Sequence, residues 1–387
     1  MITIKQFLVL FVLCLTPFVF LSFRTELIGF DSYYFLNHVC NGLKTEWWST
    51  SLLTPTLLDF IPCNPLIINS ILFFSLLFST VGVAQTGNLI HEKYGWMAGF
   101  FLFMSSKWFQ GFLAFEDDPI AYPFLFFSLY FLVKGMIKKN SKDKLISLLL
   151  VGLACLIWKG AILYFIVYGL SYIVSTIISM PILLLKGKEI ISNLIPFNNV
   201  MENQAIIGII YTGTLFLGLI LAPFFLPLIL MPSFVFWTAI LVFNAKFIIH
   251  ALPFYSITVM LLYSRLKEKR NEFIKWIPIL LIALVFAVWL PSSYNTINQY
   301  PQPEQFNLIE KGIQLSQETG KPLKNEWSAG YWIEWLGGKP TAKGGYGEEQ
   351  DYNKSIVISM NEQLNEGLDR ECLKVMESMK LKLYDCN

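Results

Sequence analysis

Three adjacent carboxylates, Glu116-Asp117-Asp118, stand immediately before Pro119, and another acid, Asp31, opens the stretch Asp31-Ser-Tyr-Tyr-Phe. Both sites adjoin long apolar runs, where each charged group is costly and therefore informative. Neighbouring carboxylates repel one another, and a cation among them relieves the repulsion. An all-oxygen ligand set with no Cys or His suits Mg²⁺ or Mn²⁺. Such an ion can hold a phosphate and stabilise it as a leaving group. A plainer reading stands beside this one. Asp31 ahead of an aromatic run also makes a helix N-cap, and Asp118 ahead of Pro119 could cap a helix in the same way. A cap, however, needs one acid and not three. Lys246 and His250 are one helical turn apart at the start of an apolar run. They suit a phosphate or pyrophosphate contact, or equally a snorkelling lysine with an interfacial histidine.

The elements that must position these groups are membrane spans. The chain has 387 residues, 55% hydrophobic and only 14% charged, with 34 Phe and 11 Trp. Soluble domains carry about 25% charged residues. A soluble enzyme is thereby excluded, and the net charge of +2 gives no footing for nucleic acid. Runs of span length lie near 4–23, 66–86, 94–113, 119–138, 144–158, 160–186, 204–222, 247–265 and 274–292. The stretch 223–246 is apolar but interrupted by Pro223, Pro227 and Pro232, which predicts a re-entrant segment or a short pair of spans. The first run has no small-x-small cleavage site before Arg24 and reads as a retained span.

Basic residues set the sidedness. Lys138, Lys139, Lys142 and Lys144 form one cluster, Lys186 and Lys188 a second, and Arg265, Lys267, Lys269 and Arg270 a third. Placing these in the cytoplasm gives an odd number of crossings and puts loop 24–65, residues 114–118 and the tail outside. The predicted fold is an all-α polytopic membrane protein with about 9–11 transmembrane helices and a small exported C-terminal α or α/β domain. Residues 1–292 form the transmembrane part and 293–387 the tail. The tail holds 14 acids against 10 Lys and Arg, so it differs in kind from the body. Two of its stretches, 306–318 and 360–381, have helical apolar spacing. Cys40 and Cys63 share the first outer loop, and Cys372 and Cys386 share the tail. Two pairs in exported segments suit two disulfides, while Cys14 and Cys155 lie in spans as packing residues.

The tail also contains Asn325-Glu-Trp-Ser-Ala-Gly-Tyr-Trp-Ile-Glu-Trp-Leu-Gly-Gly-Lys-Pro-Thr-Ala-Lys-Gly-Gly345. This resembles the catalytic subunit of oligosaccharyltransferase and its single-subunit archaeal and bacterial relatives, which are C-superfamily glycosyltransferases. That family carries a Trp-Trp-Asp-Tyr-Gly motif, often continued by Tyr-Trp-Ile and a Gly-Gly-Arg/Lys-x-Thr stretch. Asp31-Ser-Tyr-Tyr resembles its first-loop acidic motif, Gly111 to Asp118 its second, and Lys246-Phe-Ile-Ile-His-Ala-Leu-Pro-Phe a basic segment in a late span. The resemblance implies a membrane glycosyltransferase acting at the outer face. It would take a glycan from a polyprenyl- or dolichyl-phosphate-linked donor to an exported protein or another acceptor, with inversion. Asp31, Glu116 and Asp118 would hold Mn²⁺ or Mg²⁺, with Asp117 able to replace Glu116. Lys246 and His250 would touch the donor phosphate, and Trp327 and Ser328 would line the acceptor site.

The chain departs from the family pattern on the acceptor side. The motif Asp becomes Ser328 and its Tyr becomes Ala329, and residues 206–266 contain no acid at all. Asn37 stands where the family often has Arg. Trp327, Tyr331, Trp332 and Trp335 also read as the core of a small domain or an interfacial belt. Two other functions fit the composition: a catalytically inactive assembly subunit, or a transporter or flippase. Acids at the outer surface instead of mid-bilayer, and no visible inverted repeat, weigh against the transporter.

Overall fold

A computed structural model describes residues 2–24, 26–29, 31–42, 58–176, 216–243, 247–268, 276–299, 301–325, 329–342, 352–378 and 381–386. Helix α1 (Ile4–Leu21) starts at a capping box, in which Thr3 and Gln6 satisfy each other's backbone N–H groups. Helix α2 (Asp31–Asn41) follows in the first loop. Helix α3 (Pro65–Ile90) is capped by Asn64, with Pro65 at its first position, where a missing N–H costs nothing. Helix α6 (Asp117–Ile137) packs directly on α3. The contact is close because Gly82 has no side chain: a Cβ there would come within 3.0–3.1 Å of the Phe126–Phe127 backbone. A turn through Lys138–Asn140 leads into α7 (Ser141–Ile157), and Lys134 pairs with Asp143 across it at 2.8 Å. Helix α8 (Ile162–Thr176) returns.

Helices α9 (Phe216–Phe225), α10 (Met231–Phe243), α11 (Ile248–Glu268) and α12 (Trp276–Tyr294) complete the membrane part among the described residues. Over the described part of that stretch, residues 223–243, the chain thus folds as a short helical pair parted around Pro227. Among the described residues, four helical stretches are long and apolar enough to cross a membrane: Ile4–Leu21, Pro65–Ile90, Asp117–Ile137 and the one beginning at Trp276. The chain is an integral, polytopic, mainly helical membrane protein. Lys186, Lys188, Lys269 and Arg270 lie outside the described residues.

One apolar run departs from its expected form. Residues 94–113 do not make a single helix but α4 (Met97–Phe101), a 3₁₀ turn over Leu102–Met104, and α5 (Ser106–Gln110). They nevertheless run the length of the bundle. His91, which follows α3, lies 3.6 Å from Glu268 at the end of α11, whereas Ala114 pairs with Ile28 beside the start of α2. Broken backbone is tolerated at membrane depth only where protein surrounds it. Phe101, Leu102, Phe103, Trp108, Phe109 and Phe112 are all fully buried, and the Trp108 indole N–H donates to Thr80 Oγ1 at 3.0 Å.

After α12 the tail folds as an α/β unit. Helix α13 (Pro303–Thr319) ends at Gly320, whose φ of +68° suits the left-handed stop. Strands β1 (Leu323–Asn325), β2 (Ile356–Ser359), β3 (Leu373–Ser378) and β4 (Leu381–Asp385) form a sheet in the order β1-β2-β4-β3. β1 and β2 are parallel and the other pairs antiparallel. The helical spacing expected over 360–381 holds only for α15 (Glu362–Glu371); Leu373–Ser378 is the hairpin partner of β4. Pairing with β4, next to the Cys372–Cys386 disulfide, overrides the weak local helical pattern there. The Cys40–Cys63 disulfide also forms, as the loop positions suggest.

The tail docks on the first loop. Through α14 (Gly330–Trp335), Trp332 and Trp335 meet the Tyr33 ring edge to face, and Tyr331 meets Tyr34 likewise. Asn37 Nδ2 donates to Tyr331 O at 3.4 Å. The Arg24 guanidinium donates to the carbonyls of Thr296, Gln299 and Pro301, gathering the turn that joins α12 to α13.

Candidate active site

Two backbone segments far apart in sequence are joined at the acid-bearing end of the bundle. Ile28 and Ala114 form a parallel bridge. Ser32, one residue into α2, locks it: its hydroxyl accepts from the Phe115 N–H at 2.7 Å and donates to Ile28 O. Gly29 lies at the centre of this junction with φ +94°. A Cβ on Gly29 would lie 3.2 Å from Ala114 Cβ and 3.7 Å from Glu116 Oε1. The Glu116 carboxylate therefore stands beside the turn that delivers Asp31 to the first position of α2. The Asp31 side chain itself is outside the described atoms.

Glu116 is the N-cap residue of α6, yet its side chain makes no capping hydrogen bond. Asp117 and Asp118 occupy the first turn and are buried. The plain capping reading for Asp118 does not describe its position, since it lies inside the helix and accepts from the Tyr122 hydroxyl at 2.8 Å. The N-termini of α2 and α6 meet here, and both helix dipoles favour negative charge at that end. Nearby, the Tyr33 phenol accepts from the Leu27 N–H at 3.1 Å. Burial, reinforced by Glu26, pushes its pKa above the usual tyrosine range. Burial lowers the pKa of the Arg24 guanidinium, and Glu26 opposes that shift.

His250 is not displayed at the membrane face but enclosed by rings. It stacks on Trp158 at 5.3 Å and 14°, lies 4.7 Å from the Trp237 ring, and shares a 2.7 Å hydrogen bond between Nδ1 and the Tyr164 hydroxyl. Tyr122 meets it edge to face at 5.4 Å. The structure thus brings His250 and Asp118 to one place, with Tyr122 between them. Sequence reasoning misses Tyr122 and Tyr164. The signal for Tyr122 is its position four residues after Asp118, which places both on one helix face. Lys246, Trp327 and Ser328 lie outside the described residues. The segment carrying Trp327 and Ser328 leaves β1 at the buried Asn325. That side chain donates to Ala342 O at 2.6 Å and accepts from the Thr341 N–H at 2.9 Å, clasping the end of β1 to the stretch that follows α14.

Among the described residues no group of three or more His, Cys, Asp or Glu is placed to hold a metal ion. A full ligand set here requires Asp31. The donor chemistry fits a hard divalent cation: carboxylates alone, of which Asp117 and Asp118 are buried, at the meeting of two segments.

No family model matches the sequence, and no curated protein matches it. Solved structures do. ArnT from Cupriavidus metallidurans bound to undecaprenyl phosphate aligns with a TM-score of 0.57 and 12% identity, covering 99% of this chain and 98% of that one. Its apo form aligns at 0.60 and 10% identity, covering 98% of each chain. The archaeal oligosaccharyltransferase AglB from Archaeoglobus fulgidus, in complex with an inhibitory peptide and a dolichol-phosphate, aligns at 0.62 and 10% identity. That alignment covers 92% of this chain and 69% of AglB. The chain shares the overall fold of these ArnT and AglB structures. Within this fold, the membrane bundle carries the acids at one end, and the α/β unit docks there on α2.

Proposed function

We propose that the chain is a membrane glycosyltransferase that moves a glycan from a polyprenyl- or dolichyl-phosphate-linked donor to an exported acceptor. The observation that carries this reading is the Ile28–Ala114 bridge, which sets the Glu116 carboxylate beside the start of α2 at Asp31. The acid-bearing end and the tail that covers it then face the outside, where the first loop and the tail each carry a disulfide. Asp31, Glu116 and Asp118 would hold Mn²⁺ or Mg²⁺, with Asp117 in reserve. When bound, the ion supplies charge neutralisation for a departing lipid phosphate. Lys246 would contact that phosphate, while His250, four residues on and enclosed by rings, would back that contact and not make it. Trp327 and Ser328 line the acceptor site above.

The acceptor nucleophile bonds to the anomeric carbon from the face opposite the leaving group, which inverts that centre. The bond from that carbon to the phosphate oxygen breaks, and the acceptor's proton passes to a carboxylate, with Asp31 assigned that role. AglB and ArnT each bind a polyprenyl phosphate in the solved complexes, which supports a donor of this class. Protein is the proposed acceptor. Ser328 in place of the family's acidic residue weakens direct reading of an Asn-x-Ser/Thr sequence.

The test incubates purified protein with Mn²⁺, a radiolabelled extract of polyprenyl-linked glycans and total membrane protein. Label is followed into protein, lipid and free sugar, with Asp31→Ala and a chelator as controls. Expected is transfer into protein that Asp31→Ala and chelation both abolish, alongside Mn²⁺ binding by electron paramagnetic resonance that Asp31→Ala weakens. Transfer into lipid or sugar keeps the enzyme and changes the acceptor. No transfer from a verified donor, or transfer indifferent to Asp31, overturns the proposal in favour of an assembly subunit or transporter.

A further inference from the structure

Tyr122 has an unusual station. Its hydroxyl donates to Asp118 Oδ2 at 2.8 Å, one helical turn toward the acid-bearing end. Its ring is fully enclosed, 2% exposed, and touched edge-on by rings from three other segments: Phe112 at 5.2 Å, Trp158 at 6.1 Å and His250 at 5.4 Å. His250 is itself fixed by Trp158, Trp237 and the Tyr164 hydroxyl. A phenol gripped on several sides cannot swing its hydroxyl away. The carboxylate that accepts from it therefore has one oxygen pinned in direction. For a carboxylate on a helix first turn, which otherwise rotates about a broad two-fold torsion, that pin selects a single orientation.

We infer that Tyr122 is a positioning residue: its hydroxyl aims the Asp118 carboxylate, and the ring cluster around His250 holds that hydroxyl in place. The inference rests on the reading of Asp118 as part of the cation-holding set. It extends that reading from the acids to the rings beneath them. Outer-shell partners of ligating carboxylates have effects of about 10–100-fold on metal affinity or activity, which sets the scale. A merely structural tyrosine would lower stability on losing its hydroxyl and leave cation affinity alone.

The decisive comparison is Tyr122→Phe against Tyr164→Phe in the full chain, each purified in detergent. Both remove one buried phenol hydroxyl from the same ring cluster and keep the ring, but only Tyr122 touches a carboxylate. Mn²⁺ binding is read by electron paramagnetic resonance with no donor present, and thermal unfolding is read in parallel. Expected for Tyr122→Phe is Mn²⁺ binding weaker by about 10–100-fold, with kcat falling more than KM changes. Expected for Tyr164→Phe is a comparable loss of thermal stability with Mn²⁺ binding within about two-fold of the parent. Unchanged Mn²⁺ binding in Tyr122→Phe, or an equal loss in both variants, overturns the inference. Asp118→Asn separates the two levels. If it abolishes Mn²⁺ binding while Tyr122→Phe does nothing, only the positioning role fails. If Asp118→Asn leaves binding and transfer intact, the cation reading of Asp118 fails and takes the positioning role with it.

Discussion

Replacing Gly29 by alanine loads two separate penalties onto one junction. The backbone sits at φ +94°, beyond the region an L-residue tolerates, which costs about 1–2 kcal/mol. The new methyl would lie 3.2 Å from Ala114 Cβ, inside the ordinary 3.5–4.0 Å carbon–carbon separation. Neither methyl can rotate aside, because each is fixed to its backbone. Overpacking of this kind costs about 1–3 kcal/mol. The sum is a loss of about 2–5 kcal/mol, relieved by parting the Ile28–Ala114 bridge. Since the Glu116 carboxylate is only 3.7 Å from the same point, the parting separates Glu116 from the start of α2. A displacement of about 1 Å at a reacting centre lowers rate by about 100-fold. Thermal unfolding and the radiolabel transfer assay measure the two effects. The double variant Gly29→Ala with Ala114→Gly removes the methyl contact and leaves the dihedral strain. It should recover about 1–3 kcal/mol and most of the activity. Gly42→Ala is the control: φ is +62° with nothing within 4 Å of the added methyl, so it incurs strain alone and keeps full transfer. Equal activity in Gly29→Ala and Gly42→Ala, or no rescue by Ala114→Gly, refutes the junction as the element that sets the acids.

Other outcomes follow from the same contacts. Ser32→Ala strands the Phe115 N–H and weakens the Ile28 carbonyl's partnering; it should cost about 1–3 kcal/mol in thermal unfolding and lower transfer, whereas Ser32→Thr should retain more of both. Arg24→Met keeps the aliphatic stem but leaves the carbonyls of Thr296, Gln299 and Pro301 without their charged donor. A loss of about 1.5–3 kcal/mol in tail docking is expected, read as faster limited proteolysis between α12 and α13, and unchanged cleavage would contradict the clamp.

Much of the site is legible in the amino-acid sequence. The acids stand out because charge is rare in so apolar a chain, and loop charge places Asp31 and Glu116–Asp118 at one end. The cysteine pairs follow from which residues share a loop. The interruption of residues 94–113 is not legible, because its sequence is as apolar as a span and carries no proline. What breaks it is tertiary enclosure, which periodicity does not report. Strand β3 escapes a sequence reading for a related reason. Leu373-Lys-Val-Met-Glu-Ser alternates only briefly, and what makes it a strand is its partner β4, close by in sequence but visible only as a ladder. Tyr122 and Tyr164 are invisible as site residues because aromatic rings are everywhere in this chain. Only their hydrogen bonds to Asp118 and His250 set them apart.

The interrupted passage from His91 to Ala114 also bears on how the molecule is made. Facing lipid by itself, this stretch could satisfy its backbone only as an unbroken helix. It can take up the turns over Leu102–Met104 and Ser105 only once α3, α11 and α12 surround it. α11 and α12 are synthesised well over a hundred residues later. The passage that leads to Ala114 and its bridge to Ile28 thus takes its final form in the company of helices made later. A nascent chain carries Asp31 and Glu116–Asp118 early, but the junction that sets Glu116 beside α2 belongs to the folded bundle.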